Sequence, residues 1–430
     1  METIRSKGQN TKEVWRKSHD SLVFPSAQSQ KHFPFFVPTI AEGAYITDLV
    51  GRKYLDFTAQ NASVGHNHPR IQKAIIESVT HGGMQMKSMV VLAEKLKAVV
   101  PLSLSKSLVG LARSGTLAAE YTILMLRKYS ARRSICAFQG SYHGNALGSL
   151  SLTLDRSEIR RGFHPFISDV VYLPYAYCYR CAFGQEQPSC GFQCLEYVEY
   201  VMDTVAHRSE ILAWFIEPIQ SHGGVVVPPD GYLERINKLC HENQIFLVSD
   251  EVVTGLGRTS RMFGFEHWDV DPDIIFLGKP LGHPLPLGAV IGREEIMKNY
   301  PSGVDYSVCT AAAIANIEVI LEERLMENAS RTGNYLMKRL RELQEMYQVI
   351  GDVRGKGLLI ALELVKNPKK KAATKEARKI HLQAYRNGLL LILGGTYLQC
   401  MRLAPPLNIT TDQIDEAISI LDKAFRSLYS

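Results

Sequence analysis

From about residue 43 onward, short apolar runs alternate with longer amphipathic stretches, and this alternation restricts the possible folds more than any other feature. The amphipathic stretches, such as 118–129 and 232–243, have the length and spacing of helices. Strands that alternate with helices are typical of an α/β fold with a mostly parallel sheet covered by helices. Such sheets bind ligands at the carboxyl ends of their strands. The strand-like runs are Leu108–Leu111, Ser134–Phe138, Trp214–Ile216, Ile245–Val248 and Ile274–Leu277.

The length of 430 residues indicates more than one domain, because single cores rarely grow this large. After about Ile314 the pattern changes to a long helical stretch, the glycine-containing segment 353–364 and a closing helix over 411–428. We predict an N-terminal segment (1–50) that packs with the small domain, a large domain (51–310) and a smaller α+β domain (311–430).

The net charge is +6, and the basic residues concentrate in the stretches 7–17 and 366–379. Neither stretch carries a nucleic-acid recognition motif, so we predict solvated surface and no nucleic-acid partner. The alternative is a basic entrance that attracts carboxylate substrates. The polar N-terminus does not resemble a signal peptide, and no apolar window is long enough to span a membrane. We therefore expect a cytoplasmic protein.

Ser114-Gly115-Thr116 follows an apolar run and opens a helix. A glycine there lets the backbone approach an anion, the free N–H groups of the helix start point toward it, and the hydroxyls add donors. The three residues are a candidate phosphate site. A simple helix cap is the alternative.

Two charged residues stand at the ends of apolar runs. Asp250 ends the run 245–249, where a buried carboxylate needs a positive partner, such as a protonated pyridine nitrogen. An N-cap or an ion pair would also satisfy it. Lys279 follows the run 274–278 and precedes tight turns. Partial burial would lower the pKa of its amine and favour Schiff-base formation, whereas a lysine that reaches the surface would not be activated.

Three further loops carry candidate residues. Tyr142 and His143 lie in Gly-Ser-Tyr-His-Gly after another run, where a flat ring can cover a planar cofactor or pack in a turn. Glu217 closes the run 214–216, and Arg402 lies in the C-terminal part. Arg402 could grip a substrate carboxylate, or pair with Glu217 when no carboxylate is bound.

Taken in order, these motifs resemble the class III (subgroup II) pyridoxal-phosphate-dependent aminotransferases, such as 4-aminobutyrate aminotransferase. The resemblance extends from about Gly43 to about Ile420, and the stretch 250–296 is similar to the signature region of that family. The motifs are Ser-Gly-Thr, Gly-Ser-Tyr-His-Gly, Glu-Pro-Ile-Gln, Ser-Asp-Glu-Val-Val-Thr-Gly-Leu-Gly-Arg-Thr and Leu-Gly-Lys-Pro-Leu-Gly.

The resemblance implies a fold-type-I homodimer with the following roles. Lys279 would hold pyridoxal 5′-phosphate as a Schiff base and then move the proton. Asp250 would keep the pyridine nitrogen protonated. Tyr142 and Val252 would cover the two ring faces. The phosphate would bind at Ser114, Gly115 and Thr116, and His143 would be a further cofactor-binding residue. Glu217 and Arg402 would form a switch pair for substrate carboxylates.

The implied activity is transfer of an amino group from an amino acid or ω-amino acid, such as 4-aminobutyrate, to a 2-oxo acid. Two departures from the family pattern keep an alternative open, an amino-acid racemase or epimerase with the same cofactor. Val253 stands where the family usually has Gln, and the segment 301–307, where a partner-subunit Thr usually reaches the phosphate, is shortened. A protein that binds the cofactor without turnover is the third possibility.

Four of the eight cysteines cluster as Cys178-x2-Cys181 and Cys190-x3-Cys194. This spacing resembles a structural zinc site, which needs four thiolates. Disulfides and free thiols are the alternatives.

Overall fold

We describe a computed structural model of the chain, which covers residues 13–14, 33–34, 36–82, 86–301 and 307–429. The basic stretch 7–17 lies almost entirely outside these ranges, as do most of residues 1–32 and the segment 302–306. No helix within the described ranges combines the length and the apolar character needed to cross a membrane.

The strands are β1 (Pro38–Glu42), β2 (Tyr45–Asp48), β3 (Lys53–Asp56), β4 (Leu108–Ala112), β5 (Ser134–Phe138), β6 (Val170–Leu173), β7 (Ile211–Ile216), β8 (Phe246–Asp250), β9 (Ile274–Leu277), β10 (Gly288–Gly292), β11 (Ile350–Lys356), β12 (Leu359–Leu364), β13 (Leu389–Leu390), β14 (Ile392–Gly394) and β15 (Cys400–Leu403).

The helices are α1 (Pro69–Thr80), α2 (Met86–Val99), α3 (Gly115–Tyr129), α4 (Leu147–Ser151), α5 (Ser157–Arg160), α6 (Gln193–Thr204), α7 (Tyr232–Glu242), α8 (Glu294–Met297), α9 (Ser307–Glu322), α10 (Leu325–Met346), α11 (Thr374–Arg386) and α12 (Thr411–Tyr429).

The central sheet has seven strands in the order β4-β10-β9-β8-β7-β5-β6. Strands β5 to β9 run parallel, whereas β10 is antiparallel to both of its neighbours, β4 and β9. Every residue of β7 and β9 is buried, as expected for apolar runs that are covered by helices on both faces. The predicted mostly parallel α/β fold is therefore confirmed. The antiparallel β10 is the one departure from that pattern within the described sheet.

Two smaller sheets flank this core. One has the order β1-β2-β3-β13, so that strands near the N-terminus pair with a short strand from the C-terminal part. The rings of Tyr54 and Tyr385 stack across this junction, with their centroids 5.4 Å apart. The other sheet, β11-β12-β15-β14, is antiparallel and carries Arg402 on β15. The domain boundaries at residues 50 and 310 stay a prediction.

Candidate active site

The candidate residues come together because the strands that precede them end at the same edge of the central sheet. Strand β4 points in the same direction as β9, since both are antiparallel to β10. The loops after β4, β5, β7, β8 and β9 therefore meet around one cavity of about 370 Å³. The predicted residues that line it are Ser114, Gly115, Thr116, Tyr142, His143, Glu217, Asp250, Val252 and Lys279.

Lys279 lies directly after β9 with a φ of 32°, a value that side-chain-bearing residues rarely adopt. Burial lowers the pKa of its amine to about 8, although the carboxylates of Asp250 and Glu217 act in the opposite direction. A substantial fraction of the amine is therefore neutral near physiological pH, and a neutral amine is the nucleophilic form.

Asp250 ends β8 and is 3 % exposed. Its Oδ2 lies 2.7 Å from Nδ1 of His143, and its Oδ1 accepts a hydrogen bond from the backbone N–H of Val252 at 2.9 Å. The other ring nitrogen of His143 is buried and has no hydrogen-bond partner among the described residues. These two hydrogen bonds orient the Asp250 carboxylate, which also lines the cavity.

At the start of α3, the backbone packs unusually close to neighbouring segments. Ser114 is the N-cap residue, and its hydroxyl accepts a hydrogen bond from the backbone N–H of Leu117 at 3.2 Å. A Cβ on Gly115 would lie 2.7 Å from Cγ2 of Val252, and one on Gly278 would lie 3.0 Å from the backbone of Gly115. Three segments therefore pack so tightly here that only glycine fits. The helix start, with its free N–H groups, is exposed to the cavity.

Glu217 and Arg402 do not form an ion pair within the described part of the chain. Glu217 accepts hydrogen bonds from the backbone N–H groups of Tyr142 at 2.9 Å and Ser221 at 3.0 Å. Arg402 donates from Nη1 to the hydroxyl of Ser221 at 2.9 Å. With the carboxamide oxygen of Gln60 turned toward it, Arg402 also donates from Nη2 at 2.7 Å. Ser221 contacts both groups, and the role of Glu217 and Arg402 as a switch pair for substrate carboxylates stays a prediction.

Arg402 lines a second cavity of about 230 Å³, which shares Asn61 and Lys279 with the first. Burial lowers the pKa of the Arg402 guanidinium to about 10, so the group keeps its charge at neutral pH. It is therefore placed to receive a carboxylate beside Lys279.

Sequence reasoning assigned no role to His222, Asp155 or Gln60, all of which line this second cavity. The signal for His222 was its place in the loop directly after the predicted motif at Glu217. The other two could not be assigned to the site from the sequence, because the cavity residues that they face, His222 for Asp155 and Arg402 for Gln60, are more than 50 residues away in sequence.

The zinc prediction for the four-cysteine cluster is not supported. Cys178, Cys181, Cys190 and Cys194 line one small cavity. However, the described chain contains no group of three or more His, Cys, Asp or Glu residues arranged to hold a metal ion. All eight cysteines are free thiols. Burial raises the pKa of Cys178, and that of Cys194 to about 11, so both thiols are protonated at neutral pH.

Comparisons with known proteins agree with this geometry. The family model described as aminotransferase class-III matches residues 26–425. A leucine/methionine racemase from Thermococcus litoralis is 39 % identical, over 94 % of this chain and 93 % of its own length. A probable 4-aminobutyrate aminotransferase from Bacillus subtilis is 30 % identical, over 96 % and 97 %.

Among solved structures, an (S)-enantioselective omega-transaminase from Thermomicrobium roseum superposes with a TM-score of 0.90 at 29 % sequence identity. The match covers 99 % of this chain and 100 % of the transaminase. The resemblance of the motifs, the sheet order and the family match thus lead to one conclusion: this chain belongs to the class III aminotransferase family.

Proposed function

We propose that the cavity binds pyridoxal phosphate and that Lys279 attaches it covalently. The observation that carries this proposal is the convergence of Lys279, Asp250 and the start of α3 on one cavity. Asp250 would hold the ring nitrogen protonated, and Ser114, Gly115 and Thr116 would bind the phosphate. Tyr142 and Val252 would cover the ring faces. The close backbone packing at Gly115 and the Asp250 carboxylate that lines the cavity fit such a ligand.

When bound, pyridoxal phosphate supplies an electron sink that acidifies the C–H bond next to a substrate amine. The chain's own residues would then control where the proton goes. Lys279, with its pKa lowered to about 8 by burial, is suited to take the proton at Nζ and to return it. Arg402 would bind the substrate carboxylate and so fix which C–H bond faces Lys279.

The reaction that we propose is transamination, from an amino acid or ω-amino acid such as 4-aminobutyrate to a 2-oxo acid. Support comes from the family match and from the relative named a probable 4-aminobutyrate aminotransferase. Glu217, held by two backbone N–H groups rather than by Arg402, leaves the guanidinium available to either class of donor.

Racemisation is the second candidate, and a specific observation favours it: the relative from Thermococcus litoralis, at 39 % identity, is named a leucine/methionine racemase. Both reactions begin with the same proton removal, and they differ in the carbon that is reprotonated. Val253, which lines the cavity, offers no hydrogen bond at the position where the family usually has Gln.

We further propose a homodimer in a reducing cytoplasm. Helices α1 and α2 expose large apolar side chains at Ile76, Val79, Met86 and Val90, a pattern typical of a surface that another chain covers. Eight free thiols suit a reducing compartment. Light scattering should give the mass of two chains; the mass of a single chain at micromolar concentration would contradict the dimer.

The test is an absorbance experiment on protein reconstituted with pyridoxal phosphate. Candidate amines, including 4-aminobutyrate and L-leucine, are added without a 2-oxo acid. We expect the visible band of the bound cofactor to bleach with at least one amine and to return when a 2-oxo acid is added. The variant Lys279→Ala should show no such covalent band.

A wild-type protein that captures no chromophore would refute the role of Lys279. A band that persists while an amino acid loses its optical purity would favour racemisation over transamination. The variant Lys298→Ala is the control, since this exposed lysine on the surface should be dispensable for cofactor capture.

A further inference from the structure

The proposed function leaves the four-cysteine cluster without a task. Cys178, Cys181, Cys190 and Cys194 are free thiols, and each is partly exposed rather than sealed in the core. They line one cavity of about 30 Å³, which has room for roughly one or two water molecules. Among the described residues, no acidic or basic side chain lines this cavity, so its chemistry is that of the thiols.

The four thiols lie close enough to influence one another. Burial is the main cause that raises the pKa of Cys178, and negative charge on Cys190 or Cys181 raises it further. Burial likewise raises the pKa of Cys194 to about 11, and charge on the other three cysteines adds to that shift. Charges in salt solution influence each other over only about 10 Å. The cluster thus brings four thiols into one small region of the structure.

The backbone at Cys178 is anchored to the C-terminal sheet on both sides. Cys178 begins a single 3-10 turn, Cys178–Arg180. Tyr177, directly before it, donates from its hydroxyl to Glu363, and Arg180 donates from Nε to the same carboxylate. Glu363 is completely buried. A new covalent bond at Cys178 would therefore act on a short segment that lies between two anchors.

Arg354 extends these contacts to the loop after β7. Its Nη2 donates to the Tyr177 hydroxyl at 2.8 Å and to the backbone carbonyl of Gly224 at 2.6 Å. Its Nε donates to the backbone carbonyl of Val225 at 2.9 Å. The guanidinium of Arg354 therefore joins the cysteine-containing turn to a loop of the proposed active site.

That loop holds the groups at the substrate end of the site. The backbone N–H groups of Gly224 and Val225 both donate to the carbonyl of Ser221, each at 3.1 Å. Ser221 in turn contacts Glu217 through its backbone N–H and Arg402 through its hydroxyl. A continuous series of hydrogen bonds thus leads from the cysteine-containing turn to the guanidinium that would bind the substrate carboxylate.

We propose that the four-cysteine cluster is a thiol modification site, in which Cys178 forms a disulfide with another cysteine of the cluster on reaction with a low-molecular-weight disulfide. The new bond displaces Tyr177 and Arg180 and so weakens the binding of a carboxylate at Arg402. Formation of the disulfide does not depend on the cofactor. Its effect on the carboxylate rests on the proposed function, because it needs the assigned role of Arg402.

The exchange balances in two steps. The thiolate of one cysteine attacks the small disulfide, so that its S–S bond breaks, a mixed S–S bond forms and one small thiolate leaves. The thiolate of a second cysteine then attacks the protein sulfur of the mixed disulfide and releases the second small thiolate. The protons of the two cysteines go to the two leaving groups, and the two electrons that the cysteines lose reduce the small disulfide.

The first test maps disulfides in the full chain, before and after reconstitution with pyridoxal phosphate. The protein is incubated with reduced or oxidised glutathione, digested without reductant and analysed by mass spectrometry. We expect oxidised wild type to contain a disulfide that includes Cys178, in both forms of the protein. Cys309→Ser, which removes a partly exposed thiol outside the cluster, should give the same map as wild type.

The second test measures how the reconstituted protein binds 4-methylpentanoate, a leucine analogue that keeps the carboxylate and lacks the amine. We expect its Kd, from titration calorimetry, to rise about fivefold or more on oxidation and to return on reduction. In Cys178→Ser the Kd should be the same under both conditions. Tyr177→Phe, which removes the hydrogen bonds of that hydroxyl to Glu363 and Arg354, should form the disulfide but show a smaller rise.

Two results would overturn the proposal. One is an oxidised wild type in which Cys178 remains a free thiol. The other is a wild type that carries the Cys178 disulfide and whose Kd for 4-methylpentanoate changes by less than about twofold, below typical couplings between sites. A protein that captures no pyridoxal phosphate would instead refute the proposed function, and the disulfide map would still decide whether Cys178 is a modification site.

Discussion

At the scale of single residues, Lys279 is activated by its buried position in the fold rather than by its neighbours in sequence. Burial, assisted by the positive charge of Arg402, lowers the pKa of its amine to about 8 even though the carboxylates of Asp250 and Glu217 oppose the shift. Desolvation therefore outweighs two nearby carboxylates. The amine sits where it can be neutral often enough to act as a nucleophile and still hold a proton when needed.

This pKa predicts the pH dependence of cofactor capture. In the cofactor-free protein, the neutral fraction of the Lys279 amine should rise about 50-fold between about pH 6 and pH 8 and then level off. The rate of pyridoxal phosphate capture, followed by stopped-flow absorbance, should do the same. A rate that still increases tenfold per pH unit above about pH 9 would indicate an ordinary lysine and contradict the lowered pKa.

The identity of the main candidates could be predicted from the sequence, because each follows an apolar run or a glycine-bracketed turn. The partners of those residues could not. The contact of Arg402 with Ser221 joins positions that are 181 residues apart, and the stack of His222 on Tyr142 joins two separate loops. Local patterns carry no information about such pairs, which only the folded chain brings together.

At the scale of elements, the predicted strands Ser134–Phe138 and Ile274–Leu277 have the same bounds in the structure. Both are short, mainly apolar runs that are followed by a polar residue or a glycine, so their limits are encoded locally. The antiparallel direction of β10 was not predicted, because direction depends on the chain path and not on the apolar run itself.

The start of α3 gives a prediction about tight packing. In Gly115→Ala, the new Cβ would lie 2.7 Å from Cγ2 of Val252, whose branched side chain has little rotational freedom. Either Val252 or the helix start must move, so we expect affinity for pyridoxal phosphate to fall about tenfold or more, equivalent to roughly 1.4 kcal/mol. Equilibrium dialysis measures the dissociation constant.

The matched control is the double variant Gly115→Ala/Val252→Ala, compared with Val252→Ala alone. Removing the valine methyl groups relieves the close contact, so the added alanine should cost little in that background. If Gly115→Ala binds the cofactor as tightly as wild type, the close approach of these segments is not important for the phosphate site.

At the scale of the whole molecule, a buried ionic network ties the cysteine-containing loop to the C-terminal sheet. Glu363 on β12 is completely buried and accepts hydrogen bonds from Tyr177, Arg180 and Arg354, the last at 2.7 Å from Nη1. Arg354 also donates to the backbone carbonyl of Gly224 at 2.6 Å, two residues after His222. One carboxylate thus links three distant segments of the chain.

Replacing Glu363 with Gln should leave the Arg180 guanidinium without its carboxylate and Arg354 with Asp352 as its remaining acidic partner. We expect a loss of about 3–5 kcal/mol in the free energy of unfolding, seen by calorimetry as a melting temperature lower by several degrees. Glu322→Gln is the control, because its ion pair with Arg70 is exposed and should shift the melting temperature by about a degree at most. Equal shifts in both variants would contradict the role of the buried network.

The same network predicts a dependence on pH. Burial raises the pKa of Glu363, but Arg354, Tyr177 and Arg180 outweigh burial and hold it below its ordinary value. The stabilising contribution is thus complete above the ordinary glutamate pKa and lost as the pH falls through the lower value of the folded protein. The difference in melting temperature between wild type and Glu363→Gln should therefore narrow as the pH drops below about 4.

Ser221 holds Glu217 through its backbone N–H and Arg402 through its hydroxyl. An incoming carboxylate does not find a bare guanidinium: it must replace bonds that Ser221 and Gln60 already make. Recognition at this position is an exchange of partners, so its net gain is far smaller than the attraction between two free charges. An amine without a carboxylate leaves the existing hydrogen bonds of Arg402 intact. The guanidinium should therefore favour amines that carry a carboxylate without excluding those that do not.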